Sequence, residues 1–463
     1  MMPGATLSLT AVHHAQLQTH LFPGDGEEAA AVLVCSRVPG KRLRLLVRDV
    51  VLVAHEACRK RTEHSLTWPA TFIEQAIDLG ERESLSLVLL HSHPSGYRDF
   101  SRTDDDSDRA IMPCIFQAFG DLHGSAVMTP DGTVFARLYT HQGDQIPVDL
   151  VSVASADLHF WWWKERHRGA KRPMAFTSQM TSDLSRLTAC VIGLSGTGSP
   201  MAEQACRLGF GRVIAIDHDR VEIKNLNRII NTTLADAQAK RPKVAVFAER
   251  AKLYREEPFF EAVEANVMTR SAVLAAAQSD VLFCCVDTHR GRMIADRLAA
   301  AFLLPLFDVG VAIPTRQTED GLAIAEVTGR IDYVYPGGSS LGDRGVYTPA
   351  TLQAEALAET DPQAHRERVK AGYIEGSPEQ APSVITLNMR AASACMMEFI
   401  ARAFPYRQVS NAGYARTRFM LAEGFEEATA EGEFIAKRSG LLAAGAAEPL
   451  LGLPFLGLEE NTR

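Results

Sequence analysis

The stretch LTACVIGLSGTG at residues 187–198 decides the fold of this chain, because it runs a β-rich apolar segment directly into a glycine-rich turn. The turn contains Gly193, Gly196 and Gly198, and a helical stretch follows at residues 199–208. Glycines between a strand and a helix let backbone amides approach a phosphate at the helix N-terminus. The stretch therefore predicts a doubly wound α/β sheet that binds a nucleotide.

A second predicted strand, residues 212–216, ends in Asp217-His218-Asp219. An acidic residue about twenty positions after such glycines suits a ribose hydroxyl. A dehydrogenase would fit these residues too, although the spacing Gly-x-x-Gly-x-Gly departs from the usual dinucleotide fingerprint Gly-x-Gly-x-x-Gly. The class of nucleotide enzyme therefore depends on the motifs that follow.

Three further motifs follow in order: Asn225 and Arg228 in DHDRVEIKNLNR, Lys243 in RPKV, and Asp287 in VDT after a strand-like run. Together with the glycine turn, they resemble the signature of the ThiF/MoeB and ubiquitin-activating adenylyltransferase family. The resemblance covers about residues 172–404. Four separated motifs in one order are more specific than the glycine turn alone, and they favour adenylation over hydride transfer.

The resemblance to this family implies ATP-dependent adenylation of a terminal carboxylate by a homodimer. The nucleotide-binding residues that it implies are Gly193, Gly196, Gly198, Asp217, Asp219, Asn225, Arg228, Lys243 and Asp287. Lys243 would neutralise the transferring charge, Asp287 would bind Mg²⁺, and Arg172 would be the finger that reaches a dimer partner's ATP. Both reactants are anionic, so cations and backbone amides must offset their charge.

A second motif lies in the N-terminal third, where His91-Ser92-His93-Pro94 follows an apolar run and precedes Ser101 and Asp104. Histidines at i and i+2 of a strand point the same way and can hold one ion. Zinc accepts imidazole and carboxylate ligands together, and a catalytic zinc site keeps one position open. The pattern therefore indicates a hydrolytic metal site.

This spacing resembles the JAMM/JAB metallopeptidase motif of deubiquitinating enzymes, in which an upstream Glu precedes His-x-His-Pro and Ser-x-x-Asp. The resemblance implies a Zn²⁺ ion bound by His91, His93 and Asp104. It also implies that Glu28, at the start of an apolar segment, acts as general base, and that Ser101 donates to the oxyanion.

Composition limits the other classes of function. The formal net charge is −8 over 463 residues, and dispersed basic residues argue against a nucleic-acid surface. No apolar run reaches the roughly 18 residues that cross a bilayer, and the N-terminus lacks a signal-peptide pattern. The 8 cysteines include no Cys-x-x-Cys pair, which predicts a reducing, cytoplasmic setting.

The expected organisation is α/β throughout. We expect a JAB/MPN-type α/β/α metallopeptidase domain at 1–150, a linker at 151–175, a Rossmann-like ThiF adenylation domain at 176–410, and a C-terminal tail packing on it at 411–463. The tryptophan run at 161–163 is interpreted as a linker whose rings cover a domain junction.

The chain departs from its relatives in cysteine content. Many relatives bind a structural zinc through two Cys-x-x-Cys pairs, but the matching stretch at 335–341 contains no cysteine, so we predict no structural zinc. Relatives that form a thioester with their carrier use a cysteine in a loop, yet none occurs between 286 and 387. Cys395 remains the one candidate, and its apolar helical surroundings favour a buried thiol instead.

The two resemblances together imply a fused enzyme. The second domain would activate the C-terminal glycine of a ubiquitin-like or sulfur-carrier β-grasp protein, and the first would cleave that protein or its conjugates. A ubiquitin-conjugating-like enzyme is a further expected partner, in either bacterial antiviral defence or sulfur transfer. Two alternatives stay open: a first domain that docks the carrier or a conjugating enzyme without catalysis, and a second domain that adenylates an amino acid or peptide.

Overall fold

The computed structural model describes residues 4–83, 85–163, 176–255, 258–319, 321–370, 383–445 and 450–457. The N-terminal strands and helices are, in chain order, β1 (Ala5–Thr10), α1 (Ala11–Leu21), β2 (Ala30–Arg37), β3 (Leu43–Leu52), β4 (Lys60–Thr62), β5 (Ser65–Thr67), α2 (Thr71–Gly80), β6 (Ser86–Ser92), α3 (Arg102–Ala118), β7 (Leu122–Met128), β8 (Val134–Thr140), β9 (Gln145–Ala154) and β10 (Leu158–Trp162).

The first sheet has the order β1-β3-β2-β6-β7-β8-β9-β10, and an additional pairing of β1 with β9 closes it on itself. Alternate residues of β2 face two different cores, as the period of a strand requires. Leu33 packs in the interior with Leu17 and Leu21 of α1, whereas Val32 and Val34 pack against α2 and α3. The sheet thus carries helices on both faces, as the α/β/α expectation states.

The second unit contains, in chain order, α4 (Ser178–Leu184), β11 (Thr188–Ile192), α5 (Gly198–Leu208), β12 (Arg212–Ile216), α6 (Leu234–Gln238), α7 (Lys243–Ala251), β13 (Phe260–Val263), α8 (Arg270–Ala276), β14 (Val281–Cys284), α9 (His289–Ala301), β15 (Leu306–Ala312), β16 (Thr315–Thr318), β17 (Gly321–Ile324), β18 (Thr328–Val334), α10 (Pro349–Thr360), α11 (Pro362–Lys370), α12 (Ile385–Ala403), β19 (Arg416–Met420) and β20 (Phe425–Thr429).

Its sheet has the order β13-β12-β11-β14-β15-β18-β19-β20. The strands from β13 to β15 in this order are parallel, and β18, β19 and β20 continue antiparallel. One face packs Val191 against α5 and α12, and the other packs Ile192 against α8 and α9. Parallel sheets covered on both faces need continuous apolar strands, and the second domain is accordingly the doubly wound sheet that the sequence predicts.

The two sheets extend beyond the domain limits expected from the sequence. Strands β9 and β10 carry the first sheet to Trp162, through residues assigned to a linker at 151–175. A tight turn in which the Ser155 amide donates to the Asp157 carbonyl (2.9 Å) returns the chain against β9. Likewise β19 and β20 belong to the second sheet although they lie in the expected tail at 411–463.

Buried arginines from the hairpin between β2 and β3 dock the two units. Arg42 pairs with Asp280 (Nη2 to Oδ1, 2.8 Å) and donates to the Gln278 carbonyl (2.9 Å). Arg44 donates to the Ala277 carbonyl, and burial lowers its pKa. These arginine contacts are buried, and apolar residues continue the interface beside them, since Val38 and Leu46 share one core cluster with the second unit and Leu150 and Leu158 share another. Among the described residues, no helix combines the length and hydropathy needed to span a membrane.

Candidate metal centre and nucleotide site

The two histidines of the metal motif converge at the carboxyl end of β6. His91 lies within the strand and pairs with Ala30 of β2. The chain beyond the strand is held by a hydrogen bond from the His93 amide to the Met128 carbonyl (2.9 Å). The Nε2 atoms of His91 and His93 are 3.0 Å apart. Both rings therefore face one point, as their i, i+2 spacing on a strand predicts.

Asp104 joins the cluster from the first turn of α3. Ser101 is the N-cap of this helix: its amide donates to Asp104 Oδ2 (2.6 Å), and the Asp104 amide donates to Ser101 Oγ (3.2 Å). This reciprocal capping box holds the carboxylate in place. Asp104 lies 3.2 Å from His91 Nε2 and 3.5 Å from His93 Nε2. The Ser-x-x-Asp spacing thus serves the helix start and the cluster together.

The geometry of this cluster fits a tetrahedral metal ion. Zinc bound at about 2.0–2.1 Å places the atoms of two ligands roughly 3.3 Å apart. The distances among the facing nitrogen and oxygen atoms of His91, His93 and Asp104 are 3.0, 3.2 and 3.5 Å, which lie on both sides of that value. His93 Nδ1 lies 2.9 Å from the Tyr97 carbonyl. Donation to that oxygen leaves the Nε2 lone pair facing the cluster, as a metal ligand requires.

Glu28 lies on the same cavity as His91, Ser101 and Asp104. It lies two residues before β2 and is 8% exposed, with its amide donating to the Thr62 carbonyl (2.9 Å). Burial raises the pKa of Glu28 above that of an ordinary glutamate. A carboxyl group with a raised pKa suits proton transfer.

The neighbouring Glu27 has a different environment. Its carboxylate pairs with Arg61 (3.6 Å) and is about two-fifths exposed at 43%. Of the two adjacent glutamates, only Glu28 lines the cavity of the cluster.

The glycine turn between β11 and α5 is too tight for side chains. Gly193 has φ +85°, and a Cβ added to Gly198 would lie 1.8 Å from the Gly193 carbonyl oxygen. The Gly193 amide donates to the Ile216 carbonyl (2.8 Å), which ties the turn to β12. The turn therefore brings backbone amides to the start of α5, where helix N-termini favour anions.

A group of charged side chains at the end of β12 supports this turn. Asp217 is buried and accepts the amides of Leu194 (2.6 Å) and Asp219 (2.7 Å). Lys243 begins α7 and is also buried, with Nζ 2.7 Å from Asp219 Oδ2 and 3.8 Å from Asp217 Oδ2. Burial raises the pKa of Asp217. The structure thus brings together three residues that the sequence singled out from separate motifs.

The remaining predicted nucleotide residues have different surroundings. Arg228 lies beside the turn, since a Cβ added to Gly196 would be 3.2 Å from its Cδ. Asn225 is buried, and its Oδ1 accepts a backbone amide (3.0 Å) that caps a short helical turn. Asp287 is exposed just beyond β14. Arg172 lies outside the described residues.

Asn388 of α12 is a neighbour of the glycine turn that sequence reasoning missed. A Cβ added to Gly196 would be only 2.2 Å from its Nδ2, and Asn388 is buried. The Nδ2 group also donates to Ser383 Oγ (3.2 Å). The one sequence feature that could have indicated its role is a polar amide side chain inside a mostly apolar helix. That feature is weak evidence, because polar residues occur in many buried helices.

Cys395 is a fully buried residue of α12. Burial raises the pKa of its thiol well above the ordinary value. A thiolate nucleophile needs the opposite setting, with exposure and a lowered pKa. The prediction that Cys395 is a buried thiol is confirmed.

Family models match both units of the chain. The model of the ThiF family matches residues 170–401, half of the chain, and the model of prokaryotic homologs of the JAB domain matches residues 10–140. The prediction of a fusion of these two domains is confirmed.

The matched relatives are activating enzymes. "Ubiquitin-like modifier-activating enzyme 5" of Culex quinquefasciatus is 27% identical over 158 residues, which cover 32% of this chain and 36% of that protein. The Bombyx mori protein of the same name is 25% identical over 167 residues, covering 33% and 38%. This chain therefore spans little more than a third of the length of these relatives.

Solved structures of E. coli MccB also match. A crystal structure of MccB with ATP has 13% identity and a TM-score of 0.42, covering 57% of this chain and 68% of that chain. The Microcin C7 biosynthetic enzyme MccB in complex with N-formylated MccA has 14% identity and a TM-score of 0.44, covering 57% and 69%. On the match of the family model, this chain belongs to the ThiF family and joins its ThiF domain to an N-terminal JAB-like domain.

Proposed function

We propose that the ThiF domain uses ATP to adenylate the C-terminal glycine of a ubiquitin-like or sulfur-carrier β-grasp protein. The observation that carries this proposal is the joining of the glycine turn to Asp217, Asp219 and Lys243 at the carboxyl ends of β11 and β12. The names of the matched relatives support a carrier of the ubiquitin-like class.

In the proposed reaction, a carboxylate oxygen of the carrier attacks the α-phosphorus of ATP, and the bond to pyrophosphate breaks. The products are an acyl-adenylate and pyrophosphate. Amides of the glycine turn, Arg228 and Lys243 would offset the negative charge that both reactants bring. Mg²⁺ held by Asp287 and phosphate oxygens would neutralise the leaving group.

We also propose that the JAB-like domain is a zinc-dependent isopeptidase or peptidase acting on the same carrier or its conjugates. The converging Nε2 atoms of His91 and His93 beside Asp104 support it. Zinc in this site would supply Lewis-acid activation of water and of a carbonyl. Glu28 would accept and return the proton, and Ser101 Oγ would donate to the carbonyl oxygen as its charge grows.

The proposal includes a homodimer formed through the ThiF domain and a thiol acceptor supplied by a partner, such as a ubiquitin-conjugating-like enzyme or a sulfur donor. The burial of Cys395 supports a partner's thiol, because the acyl group cannot reach a sulfur enclosed in the core.

The adenylation half is tested by exchange of labelled pyrophosphate into ATP, with a panel of β-grasp carriers ending in glycine. We expect Lys243→Ala to slow exchange by about a hundredfold or more, because the transferring charge loses its cation. Lys252→Ala, at the exposed end of the same helix, is the matched control and should exchange normally. Binding of NAD without binding of ATP would instead support a dehydrogenase.

The metal half is tested by metal analysis beside cleavage of a carrier extended past its terminal glycine. We expect about one zinc per chain, lost in His93→Ala and retained in Glu28→Gln, with cleavage lost in both. His141→Ala, an exposed histidine outside the cluster, is the control. Zinc binding with no cleavage, but with carrier binding, would support a silent docking domain instead.

A further inference from the structure

An apolar groove runs from the metal cluster between α2, α3 and the β4–β5 hairpin. Its cavity has a volume of about 660 Å³. Glu28, His91, Ser101 and Asp104 line one end. The apolar side chains of the other walls include Leu66, Trp68, Ile73, Ile77, Ile111 and Ile115. The first five are only partly buried, so the groove is a surface feature continuous with the reaction centre.

Acidic side chains outnumber basic ones in the lining of the groove. Its described lining includes the carboxylates of Glu28, Glu74, Asp104 and Asp108 but no lysine or arginine. Asp108 pairs with Arg137 at 2.6 Å and Asp104 faces His91 and His93, so Glu28 and Glu74 are the carboxylates without such a partner among the lining residues. An acidic side chain entering this space would lose water and meet like charges. An apolar side chain would gain by leaving water.

The size of the groove exceeds what glycines require. Cavities of roughly 300–1,000 Å³ enclose whole small ligands, whereas a diglycine tail presents no side chain at all. Contiguous exposed apolar surface of this kind marks a binding site in soluble proteins. Since one end is the cluster itself, a peptide whose scissile bond lies at the cluster places its neighbouring side chains in the groove.

We propose that this groove is a specificity subsite for bulky apolar side chains of the cleaved peptide, next to the scissile bond. The inference rests on the proposed peptidase function and names its substrate class. Substrates with phenylalanine or leucine beside the cleaved bond are bound and cleaved in preference to those with glycine alone, and those with aspartate there are disfavoured.

Cys114 provides a reporter of binding that does not depend on catalysis. It is an exposed cysteine of α3 that lines the groove, whereas Cys58 is half-buried outside it. In the full chain, with and without added zinc, the alkylation rate of each thiol by iodoacetamide is followed by mass spectrometry. The probes are the amides acetyl-Gly-Phe-Gly, acetyl-Gly-Gly-Gly and acetyl-Gly-Asp-Gly.

We expect the phenylalanine probe to protect Cys114 at about tenfold lower concentration than the glycine probe, since burial of an aromatic ring favours binding by at least that factor. The aspartate probe should not protect, and Cys58 should react at one rate throughout. Ile111→Ser should weaken protection by the phenylalanine probe. Equal protection by all three probes, or none, would overturn the subsite.

Cleavage of carriers whose terminal glycine is followed by Phe-Gly, Gly-Gly or Asp-Gly separates this inference from the proposed function. Protection of Cys114 without cleavage of any carrier retains the subsite and removes the peptidase. Cleavage of all three carriers at one rate, without protection, retains the peptidase and removes the subsite. Preferential cleavage of the phenylalanine carrier together with protection supports both.

Discussion

Asp280→Ala is expected to weaken the docking of the two domains severely. Asp280 is 5% exposed and pairs with Arg42, which is 0% exposed. Its second carboxylate oxygen accepts the Thr188 amide (2.8 Å) at the start of β11. The substitution removes one ion of a buried pair and leaves the guanidinium without a counter-charge.

The expected magnitude follows from burial. Removing one partner of a buried ion pair costs about 3–5 kcal/mol, because an uncompensated charge remains out of water. The Thr188 amide also loses its acceptor. We therefore expect the free energy of docking to fall by about 4 kcal/mol, which is roughly a thousandfold in the docking equilibrium constant. Asp121→Ala breaks the exposed pair with Arg37, whose side chains are 63% and 37% exposed, and should cost at most about 1 kcal/mol.

The assay is urea unfolding followed by tryptophan fluorescence and by circular dichroism. The chain has 4 tryptophans, at positions 68 and 161–163, and Arg186 of the second unit lies over the ring of Trp162, so fluorescence reports the N-terminal domain and its docking. In Asp280→Ala the fluorescence transition should move to lower urea and separate from the dichroism transition. Adding Arg42→Met should recover part of the loss, because the unpaired charge disappears. Superimposable curves for Asp280→Ala and Asp121→Ala would refute the reasoning.

The remaining predictions concern the ThiF domain. Asp287→Ala should lose pyrophosphate exchange at low Mg²⁺ concentration and regain part of it at high Mg²⁺ concentration. If exchange is the same in this variant as in the unchanged protein, Asp287 does not bind Mg²⁺. Cys395→Ser should lower stability slightly, because a buried hydroxyl needs a partner, and leave exchange intact. A reductant-sensitive adduct with the carrier that disappears in that variant would make Cys395 the transfer nucleophile. Mixing Arg172→Ala with Lys243→Ala chains should restore some exchange in a dimer with trans fingers, whereas light scattering from a monomer would contradict the dimer.

The metal cluster and the glycine turn were predictable because short-range rules determine them. The i, i+2 spacing on a strand aims His91 and His93 at one point, and the capping box of Ser101 with Asp104 fixes the third side chain of the cluster. Gly193 likewise needs its positive φ whatever the surroundings. In each case the residues that cooperate lie within one element or at its end.

The features that the sequence did not reveal depend on residues far apart in the chain. Asn388 reaches the glycine turn from α12, and Arg42 meets Asp280 across the domain boundary. Arginine and asparagine are ordinary surface residues, so neither position signals burial. Trp162, which the sequence assigns to a linker covering a domain junction, ends β10 and also packs on the core cluster that both units share. Aromatic residues suit both a junction and a strand, so only the pairing with β9 reveals the strand.

The docking contact also determines where the two candidate sites face. In the N-terminal domain the docked hairpin joins β2 to β3, whereas Glu28 precedes β2 at the opposite end. In the ThiF domain Asp280 precedes β14, whereas Gly193 and Asp287 lie beyond the carboxyl ends of β11 and β14. Docking therefore occupies neither site. Under the proposed function, one carrier would be adenylated while another is cleaved, and the separation of the two sites favours two reactions over a single composite active site.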